Sequence, residues 1–355
     1  MNSLAIWYEG GSGKNIHLHI NFWKLPSKAR DSRFLDIGLN LPDALEIENI
    51  YIFIPFAIDE ENIKDLGRVI AASPVKLLTA IFNEDYRITS SAMSDYYRVN
   101  DHSGQEVFNI YAMNETNFSL EKKHGGTVIV LSMPQKNIRQ DKTYLRFRIT
   151  GLGLAHFSRI EKDVSSILSS AFSKNEILDF RINSARHLPN KLLEEMSEHR
   201  VFDVGKIHFF YICSYCENYI LSHQPFHSVR KLEDGIWKEY ICATHNLQNI
   251  STEETFIAYH WKKKSNIDSK IEDFNVFLKT NFRDKNLLTI VKYVAFLLLF
   301  SVFAGLITNF IYSELTNKSL AKESMDMHDN TGAAAKGSNL STKQLSVPNK
   351  TDSKN

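Results

Sequence analysis

The sequence predicts an α+β architecture: a β-rich, sandwich-like soluble region followed by one C-terminal transmembrane helix. Residues 4–9 and 15–24 alternate apolar and polar side chains around a glycine-rich turn at residues 10–13, which is typical of a β-hairpin. Residues 50–58 form an unbroken apolar run, as expected for a strand buried on both faces. Residues 294–312 contain no charge, and these 19 residues would form a helix of about 29 Å, close to the hydrocarbon thickness of about 30 Å.

The remaining elements follow from the same two periodicities. Runs of strands with one inserted helix favour a sandwich-like or α+β domain over a doubly wound sheet. The inserted helix covers residues 59–82, with Asp59 as its N-cap and a break at Ser73 and Pro74. Further strands are predicted at residues 34–40, 87–89, 106–113, 127–133, 143–149, 177–183, 205–213, 237–242 and 255–261, and further helices at residues 160–172, 190–199 and 265–281.

Shifts in composition predict five segments along the chain. They are a β-rich cytosolic domain (1–150), an α+β cytosolic domain (151–262), an amphipathic juxtamembrane helix (263–286), the transmembrane helix (287–313) and a disordered tail (314–355). The tail is predicted to be disordered because it is rich in Ser, Asn, Lys, Thr and Gly and has few large apolar residues.

Charge predicts the location of the soluble region. The net charge of +1 excludes a global basic field that would attract nucleic acid. No signal peptide is expected, because the N-terminus has no basic segment followed by a long apolar one. The basic residues that flank the span are Lys279, Arg283, Lys285 and Lys292 before or at its start, and Lys318 and Lys322 after it. The positive-inside tendency therefore predicts a single pass through a cell (inner) membrane with a cytoplasmic N-terminal region.

The spacing of three cysteines suggests a metal site. Cys213 and Cys216 form one C-x-x-C pair, and Cys242 with His245 forms a second pair of ligand types. Together the four could close a tetrahedral structural zinc site, which would make zinc the cofactor. His223 and His227 lie between the two pairs and could replace His245. The alternative is that Cys213 belongs to a buried strand and the cysteines are small core residues.

Two other patterns near the N-terminus were weighed as sites. The turn at residues 10–15 fails as a phosphate loop, because Tyr8 replaces the first glycine and Asn15 replaces the required Ser or Thr. His17 and His19 share one face of a strand, as alternate side chains do. Two such histidines can hold a metal, but an ordinary polar strand face is the favoured interpretation.

Side chains in and around the span predict contacts with lipid and with a second helix. Ser301, Ala304, Gly305 and Thr308 form a small-residue face that suits helix packing, and thus a homo-oligomer through the membrane helix. A basic set is predicted to meet anionic headgroups of the lipid bilayer, and its members are Lys262, Lys263, Lys264, Lys285 and Lys292.

This layout resembles the membrane effectors of bacterial anti-phage systems, including the membrane partner of some retrons. The resemblance is one of layout: a large N-terminal module on one span that carries small residues. It implies antiviral defence by growth arrest, with a reverse transcriptase and its RNA–DNA hybrid as the partner. Association of several chains would be required, because one span cannot line an aqueous pore.

Three functions are consistent with the sequence. The first is a membrane-anchored cytosolic sensing or binding module that acts on the membrane as a toxin-like effector. The second is a membrane-tethered adaptor or partner-binding protein without effector activity. The third is an enzyme of unrecognised type. It is the least favoured, because the sequence contains no G-x-S-x-G, H-E-x-x-H or kinase motif and no catalytic residue is predicted.

Overall fold

The chain consists of two units, Met1–Lys285 and Asn286–Asn355. The computed structural model describes residues 3–25, 33–73, 76–90, 95–133, 142–161, 173–233, 235–242, 255–266, 270–283 and 287–333.

Strands dominate the first unit. In chain order they are β1 (Ser3–Glu9), β2 (Asn15–Lys24), β3 (Arg33–Leu41), β4 (Asn49–Ile54), β5 (Ile63–Asp65), β6 (Arg87–Ser90), β7 (Tyr96–Asn100), β8 (Glu106–Tyr111), β9 (Phe118–Lys123), β10 (Gly126–Ser132), β11 (Thr143–Ile149), β12 (Ser158–Glu161), β13 (Ser173–Ile182), β14 (Arg200–Val201), β15 (Asp203–Ser214), β16 (Asn218–Ser222), β17 (Ser228–Lys231), β18 (Phe256–Lys264) and β19 (Phe274–Arg283). The helices of this unit are α1 (Gly67–Ala72), α2 (Lys76–Phe82), α3 (Asn190–Glu198) and α4 (Ile236–Cys242).

These strands form two mixed sheets. The first sheet has the order β16-β19-β13-β1-β4-β10-β9, with β12 paired to β13 and β14 paired to β1. The second sheet has the order β17-β18-β15-β2-β3-β11-β8-β7-β6, with β5 paired to β11. The pairs β1–β13, β2–β15 and β8–β11 are parallel, and the other described pairs are antiparallel. The predicted α+β, strand-rich and sandwich-like class is therefore confirmed.

The core lies between the two sheets. Every second side chain of β2 from Ile16 to Phe22 is buried in it, together with Leu4, Ile6 and Tyr8 of β1 and Ile50, Ile52 and Ile54 of β4. Phe180 of the first sheet and Phe209 of the second meet directly, with ring centroids 4.9 Å apart. Each such side chain contributes about 1.5–3 kcal/mol by leaving water, so the alternating pattern selects this face of each strand.

Helices cover parts of the two outer faces. On the first sheet, Leu192 and Met196 of α3 pack with Trp7 and Phe53 in a second apolar cluster. On the second sheet, α2 and α4 lie over the strands β2, β3 and β11. The ring of Phe82 meets Tyr144, and the ring of Tyr240 meets Trp23.

The second unit contains one long helix, α5 (Leu287–Ala333). Its segment Ile290–Lys322 has a mean hydropathy of 2.4 in its most apolar window, and none of that window is buried. Among the described residues, α5 is the one helix long and apolar enough to cross a membrane. The predicted C-terminal membrane helix is confirmed by its length and its apolar composition.

The structure corrects the predicted domain boundary at residue 150. Strand β1 pairs with β13, and β2 pairs with β15, so each sheet combines strands from both sides of that position. The segment 151–262 is therefore not a separate domain. The Gly151–Gly153 turn resembles a linker in composition, but pairing between distant strands is not visible in local sequence.

The juxtamembrane helix predicted at residues 263–286 is also corrected. Residues 274–283 form β19, which pairs with β13 over its whole length. Phe274, Val276, Leu278 and Thr280 are buried with a period of two. Apolar residues at this density also fit a helix, but the pairing partner on β13 favours the strand.

Three smaller predictions differ from the structure. Residues 237–242 are helical, within α4, rather than extended. The helix predicted at residues 160–172 begins instead as the end of β12, and residues 162–172 lie outside the described residues. The predicted disordered tail is helical to Ala333, and residues 334–355 lie outside the described residues. Helix formers and the Glu314–Lys318 ion pair at 3.1 Å support that extension.

Candidate functional site

The outer face of the second sheet carries many polar side chains, because most residues that alternate with the core positions of five neighbouring strands are polar or charged. In strand register, one row joins Lys206, His17 and Asn40. The row beside it joins Lys262, His208, His19, Gly38 and Arg146.

Gly38 makes room for this arrangement. A Cβ at this position would lie 2.5 Å from the Tyr144 hydroxyl and 3.2 Å from the Cβ of His19. The missing side chain allows Tyr144 to lean across the row, where its hydroxyl accepts a hydrogen bond of 2.9 Å from Arg146.

Below these rows lies a fully buried group of charges. Asp36 accepts hydrogen bonds from Arg148 at 2.7 Å and from Tyr240 at 2.8 Å, and Arg146 lies 3.8 Å from the same carboxylate. Arg146 also donates to the Tyr240 hydroxyl at 2.8 Å. Asp36, Arg146 and Arg148 are each no more than 1% exposed. The Asp36 carboxylate thus lies next to two guanidinium groups, which it helps to hold in place.

A cavity of about 270 Å³ opens above this group. Its walls come from six strands, from α2 and α4, and from the segments that follow α2 and β17. We call it the cationic pocket, and its lining residues are His17, His19, Asn21, Asn40, Ala80, Ile81, Phe82, Glu84, Tyr86, Arg146, Lys206, His208, Phe210, Ile212, Arg230, Leu232, Trp237 and Ala258.

The histidines at the pocket are neutral near pH 7. Nδ1 of His208 lies 2.8 Å from Nε2 of His260, a hydrogen bond that requires one of the two nitrogens to be unprotonated. Burial, with Lys206 next in effect, lowers the pKa of His208 to about 3. Burial, together with His227 and Lys262, lowers the pKa of His260 to about 4. The pKa of buried His19 lies well below its usual value for the same kinds of reason.

Lys206 is the least compensated charge at the pocket. Its pKa is lowered by burial and by the neighbouring Lys262 and Lys264. Within the described ranges no carboxylate forms an ion pair with it. Arg230, by contrast, is paired with Glu233 at 2.7 Å. The pocket therefore offers positive charge and neutral imidazole N–H donors to a ligand.

A second set of buried charges is internally balanced. Lys24 forms ion pairs with Glu176 and, at 2.9 Å, with Glu217, and Arg33 reaches Glu176 at 2.9 Å. Burial raises the pKa of Glu176, but Lys24 and Arg33 outweigh it and hold that pKa below its usual value. Two cations face two carboxylates here, and we call this set the closed ion cluster.

The four predicted zinc ligands are only partly described. Cys213 lies on β15 with its side chain in the apolar core, and burial raises the pKa of its thiol well above the usual value. Cys216 and Cys242 are exposed, and His245 lies outside the described residues. Where the structure describes the chain, no three His, Cys, Asp or Glu side chains are grouped as metal ligands. The zinc site stays a prediction, and the position of Cys213 favours the core alternative.

The other predicted site residues fall into two places. Lys262, Lys263 and Lys264 end β18 and are exposed, and Lys263 donates to the Asp273 carbonyl at 2.9 Å. Lys292 is exposed on α5, and Lys285 lies outside the described residues.

The small-residue face of the membrane helix is exposed on α5. Its members are Ser301, Ala304, Gly305 and Thr308. The hydroxyls of Ser301 and Thr308 donate to carbonyls of their own helix, at 2.8 and 2.9 Å. No polar group on this face is therefore left unsatisfied in an apolar environment.

Sequence reasoning found His17 and His19 but missed most of the pocket. A signal was available: Lys206 and His208, Arg146 and Arg148, and His260 and Lys262 are pairs at alternate positions on strands. Local sequence could not show that these pairs come together, because their strands β2, β11, β15 and β18 are far apart in the chain.

Comparison with known proteins leaves the family open. No family model and no curated protein matches the chain. Among solved structures, the yeast delta-COP-I mu-homology domain complexed with a Dsl1 WxWxV peptide is similar at 9% sequence identity and a TM-score of 0.16, with 81% of this chain and 78% of that chain covered.

Proposed function

We propose that this chain is a single-pass membrane protein with an N-terminal sensing unit and a membrane-active C-terminal helix. The sensing unit recognises a ligand or partner on the cytoplasmic side. The helix then acts on the bilayer as a toxin-like effector. The observation that supports this proposal most is α5, whose apolar side chains are exposed along the segment Ile290–Lys322.

The argument for the membrane anchor is energetic. Large side chains such as Leu299, Phe303 and Phe310 are more than half exposed. Exposed apolar surface costs about 25 cal/mol per Å², and soluble proteins rarely leave so large a contiguous patch in water. A bilayer removes this cost along the whole segment.

The orientation is proposed from the flanking charges. Lys285 and Lys292 stand at the N-terminal end of the span, and Lys279 precedes them. Lys318 follows the span but is paired with Glu314 at 3.1 Å. The positive-inside tendency supports a cytoplasmic N-terminal unit, and the resemblance to bacterial membrane effectors supports the inner membrane.

The proposed output depends on association between copies of α5. One helix cannot line a water-filled path, so several copies must pack together. A Cβ at Gly305 would meet no atom within 4 Å in the single chain, so the chain itself does not require a glycine there. Without a side chain, this position would let a second helix approach closely. The resemblance to retron membrane effectors adds growth arrest in antiviral defence, with a reverse transcriptase and its RNA–DNA hybrid as the activating partner.

Membrane potential is the direct test of this output. Expression of the full chain should depolarise cells, as measured with a voltage-sensitive dye, and Gly305→Leu should abolish the effect by blocking helix contact. Ala295→Leu is the matched control, because it adds bulk about 120° around the helix from Ser301. An unchanged potential on expression of the wild-type chain would exclude the effector and leave a membrane-tethered adaptor.

A second candidate function is enzymatic, and the pocket histidines favour it. Neutral imidazoles with strongly lowered pKa values in a concave site are common at catalytic centres. His208 would be the general base. Incubation of the purified chain with phosphorylated compounds, followed by product analysis for wild type and His208→Asn, tests this candidate. Turnover that survives His208→Asn would reject it.

A further inference from the structure

We propose that the cationic pocket binds a small soluble organic phosphate that carries a planar ring, as a nucleotide does. This inference rests on the proposed function, because it names the class of ligand that the sensing unit recognises. Uncompensated positive charge, fixed donors, aromatic walls and the size of the cavity lead to it.

Charge gives the first step. Lys206 lines the cavity without a carboxylate partner among the described residues, and it is surrounded by Lys262 and Lys264. Asp36 beneath the pocket is shared by Arg146 and Arg148. Glu84 is the acidic residue among the lining residues, and it is exposed. A partly buried cation without a counter-charge is costly, and a phosphate next to Lys206 would supply that counter-charge.

Fixed donors give the second step. The guanidinium of Arg146 is held in place by hydrogen bonds to Tyr144 and Tyr240. The neutral rings of His19 and His208, with centroids 5.3 Å apart, each carry one N–H. Donors that are already positioned cost little entropy when they bind a phosphate oxygen.

The aromatic walls give the third step. Phe82 lines one side of the cavity and is packed against Phe108, with ring centroids 4.9 Å apart. Phe210 lines the other side and stacks on His260 at 4.3 Å. Such rings suit a flat heterocycle. A volume of about 270 Å³ lies at the small end of ligand pockets, which run from about 300 Å³ upward, so a monomer fits better than a polymer.

A metal cation is the alternative ligand for the histidines, and charge disfavours it. Lys206 and Arg146 would repel a divalent ion placed between His19 and His208. The pH dependence of binding separates the two ligands. An anion raises the pKa of nearby imidazoles and binds more tightly as the pH falls, whereas protons compete with a metal for the same nitrogens.

The groups that lower the pKa of His208 or His260 are His17 on β2, Lys206 on β15, His227 before β17, Arg230 on β17 and Lys262 on β18. The other charged or titratable groups that line the pocket are His19 on β2, Arg146 on β11, and Glu84 and Tyr86 after α2. The carboxylates nearby are Glu84, Asp36 next to Arg146, and Glu233, which pairs with Arg230. Among the described residues none of them pairs with Lys206, which supports an anionic ligand.

The experiment measures binding by the full chain in phosphatidylcholine nanodiscs, using isothermal titration calorimetry. The probes are AMP, GMP, CMP and UMP, with inorganic phosphate, adenosine and Zn²⁺ as comparison ligands. At least one nucleotide should bind more tightly than inorganic phosphate or adenosine, and its affinity should rise between about pH 7.5 and pH 6. Lys206→Met should weaken binding about tenfold or more, while Lys191→Met on α3 should leave it unchanged.

The results of this experiment test the nucleotide site independently of the proposed effector function. No binding of any of the four nucleotides, equal affinity in Lys206→Met, or Zn²⁺ binding that strengthens with rising pH would overturn it. Nucleotide binding in a chain that leaves the cellular membrane potential unchanged would keep the site and reject the effector output.

Discussion

The cationic pocket and the closed ion cluster use the same kinds of side chain with opposite charge balance. In the closed ion cluster, Lys24 and Arg33 are matched by Glu176 and Glu217, all of them largely buried. At the pocket, Arg146 lies 3.8 Å from the buried carboxylate of Asp36, and Lys206 forms no ion pair with a carboxylate in the described part of the chain. The charges of the first arrangement are matched, whereas the Lys206 ammonium of the second has no anionic partner among the described residues.

This difference separates a structural role from a binding role. Buried ion pairs are strongly destabilising when one partner is removed, so a matched set is retained by the stability of the fold. An unmatched cation near a cavity weakens the fold unless it contributes to binding. Stability and ligand affinity should therefore respond to substitution in opposite ways at the two places.

Glu176→Gln should have the largest effect on stability. It removes one of two carboxylates that face Lys24 and Arg33, so the free energy of unfolding should fall by about 3–5 kcal/mol. Urea unfolding of the full chain in nanodiscs, followed by tryptophan fluorescence, measures it. Glu194→Gln on the exposed face of α3 is the control and should change little. A loss below about 1 kcal/mol for Glu176→Gln would mean that the cluster is not needed for the fold.

Gly38→Ala should come next. The added Cβ would lie 2.5 Å from the Tyr144 hydroxyl, so Tyr144 and its bond to Arg146 must shift. We expect a loss of about 1–3 kcal/mol in unfolding free energy and weaker nucleotide binding. Adding Tyr144→Phe removes the clashing oxygen and should recover part of the loss. Strict additivity of the two changes would show that they do not touch.

Acid should destabilise the cationic pocket and the closed ion cluster in different pH ranges. His208 and His260 have lowered pKa values in the folded state, so the unfolded chain takes up protons first as the pH falls below about 6.5. Their contribution to stability is full above pH 6.5 and declines toward pH 4. The loss from pH 6.5 to 5.5 should be about 1 kcal/mol for the pair, after allowance for solvent screening.

Glu176 in the closed ion cluster responds at lower pH. Glu176 has a lowered pKa in the folded state, so its contribution is lost only below its usual pKa of 4.5. Unfolding curves at pH 7.5, 6.5, 5.5, 4.5 and 3.5 test both windows. A bound nucleotide should restore stability at pH 5.5. His208→Asn should reduce the loss of unfolding free energy between pH 6.5 and pH 5.5. A flat profile of the wild-type chain from pH 6.5 to 4.5 would contradict the neutral state of these histidines.

Lys206→Met should have the smallest effect on stability. Its ammonium has no carboxylate partner within the described part of the chain and lies among like charges. The unfolding free energy should stay within about 0.5 kcal/mol of wild type or rise slightly. Lys191→Met provides the matched exposed control. A fall of more than about 2 kcal/mol would show that Lys206 has a structural role, like Lys24.

The sequence pattern was sufficient to predict elements that depend only on residues close together in the chain. The strands β1 and β2 follow from the alternation on either side of Gly10 and Gly13, and α5 follows from the uncharged run near Gly305. The predicted hairpin is wrong, because β1 pairs with β4 and β13 in the first sheet whereas β2 pairs with β3 and β15 in the second. The class of the fold followed from the number and type of these elements.

Pairing between strands that are far apart in the chain could not be predicted from the sequence. Strand β19 was predicted as a helix because its pairing partner β13 is almost one hundred residues earlier. Likewise, His17 and His19 could be placed on one face, but the parallel pairing of β2 with β15 is what brings Lys206 and His208 beside them. The pocket is thus a product of topology.

Alkaline carbonate extraction of cell membranes tests the anchoring of the chain most directly. The wild-type chain should remain in the membrane pellet, and so should the control with Leu298→Ala and Phe303→Ala. A chain with Leu298→Arg and Phe303→Arg should move to the supernatant, since each arginine near the centre of a span costs about 2.5–3.5 kcal/mol. Release of the wild-type chain by carbonate would contradict a membrane-spanning α5.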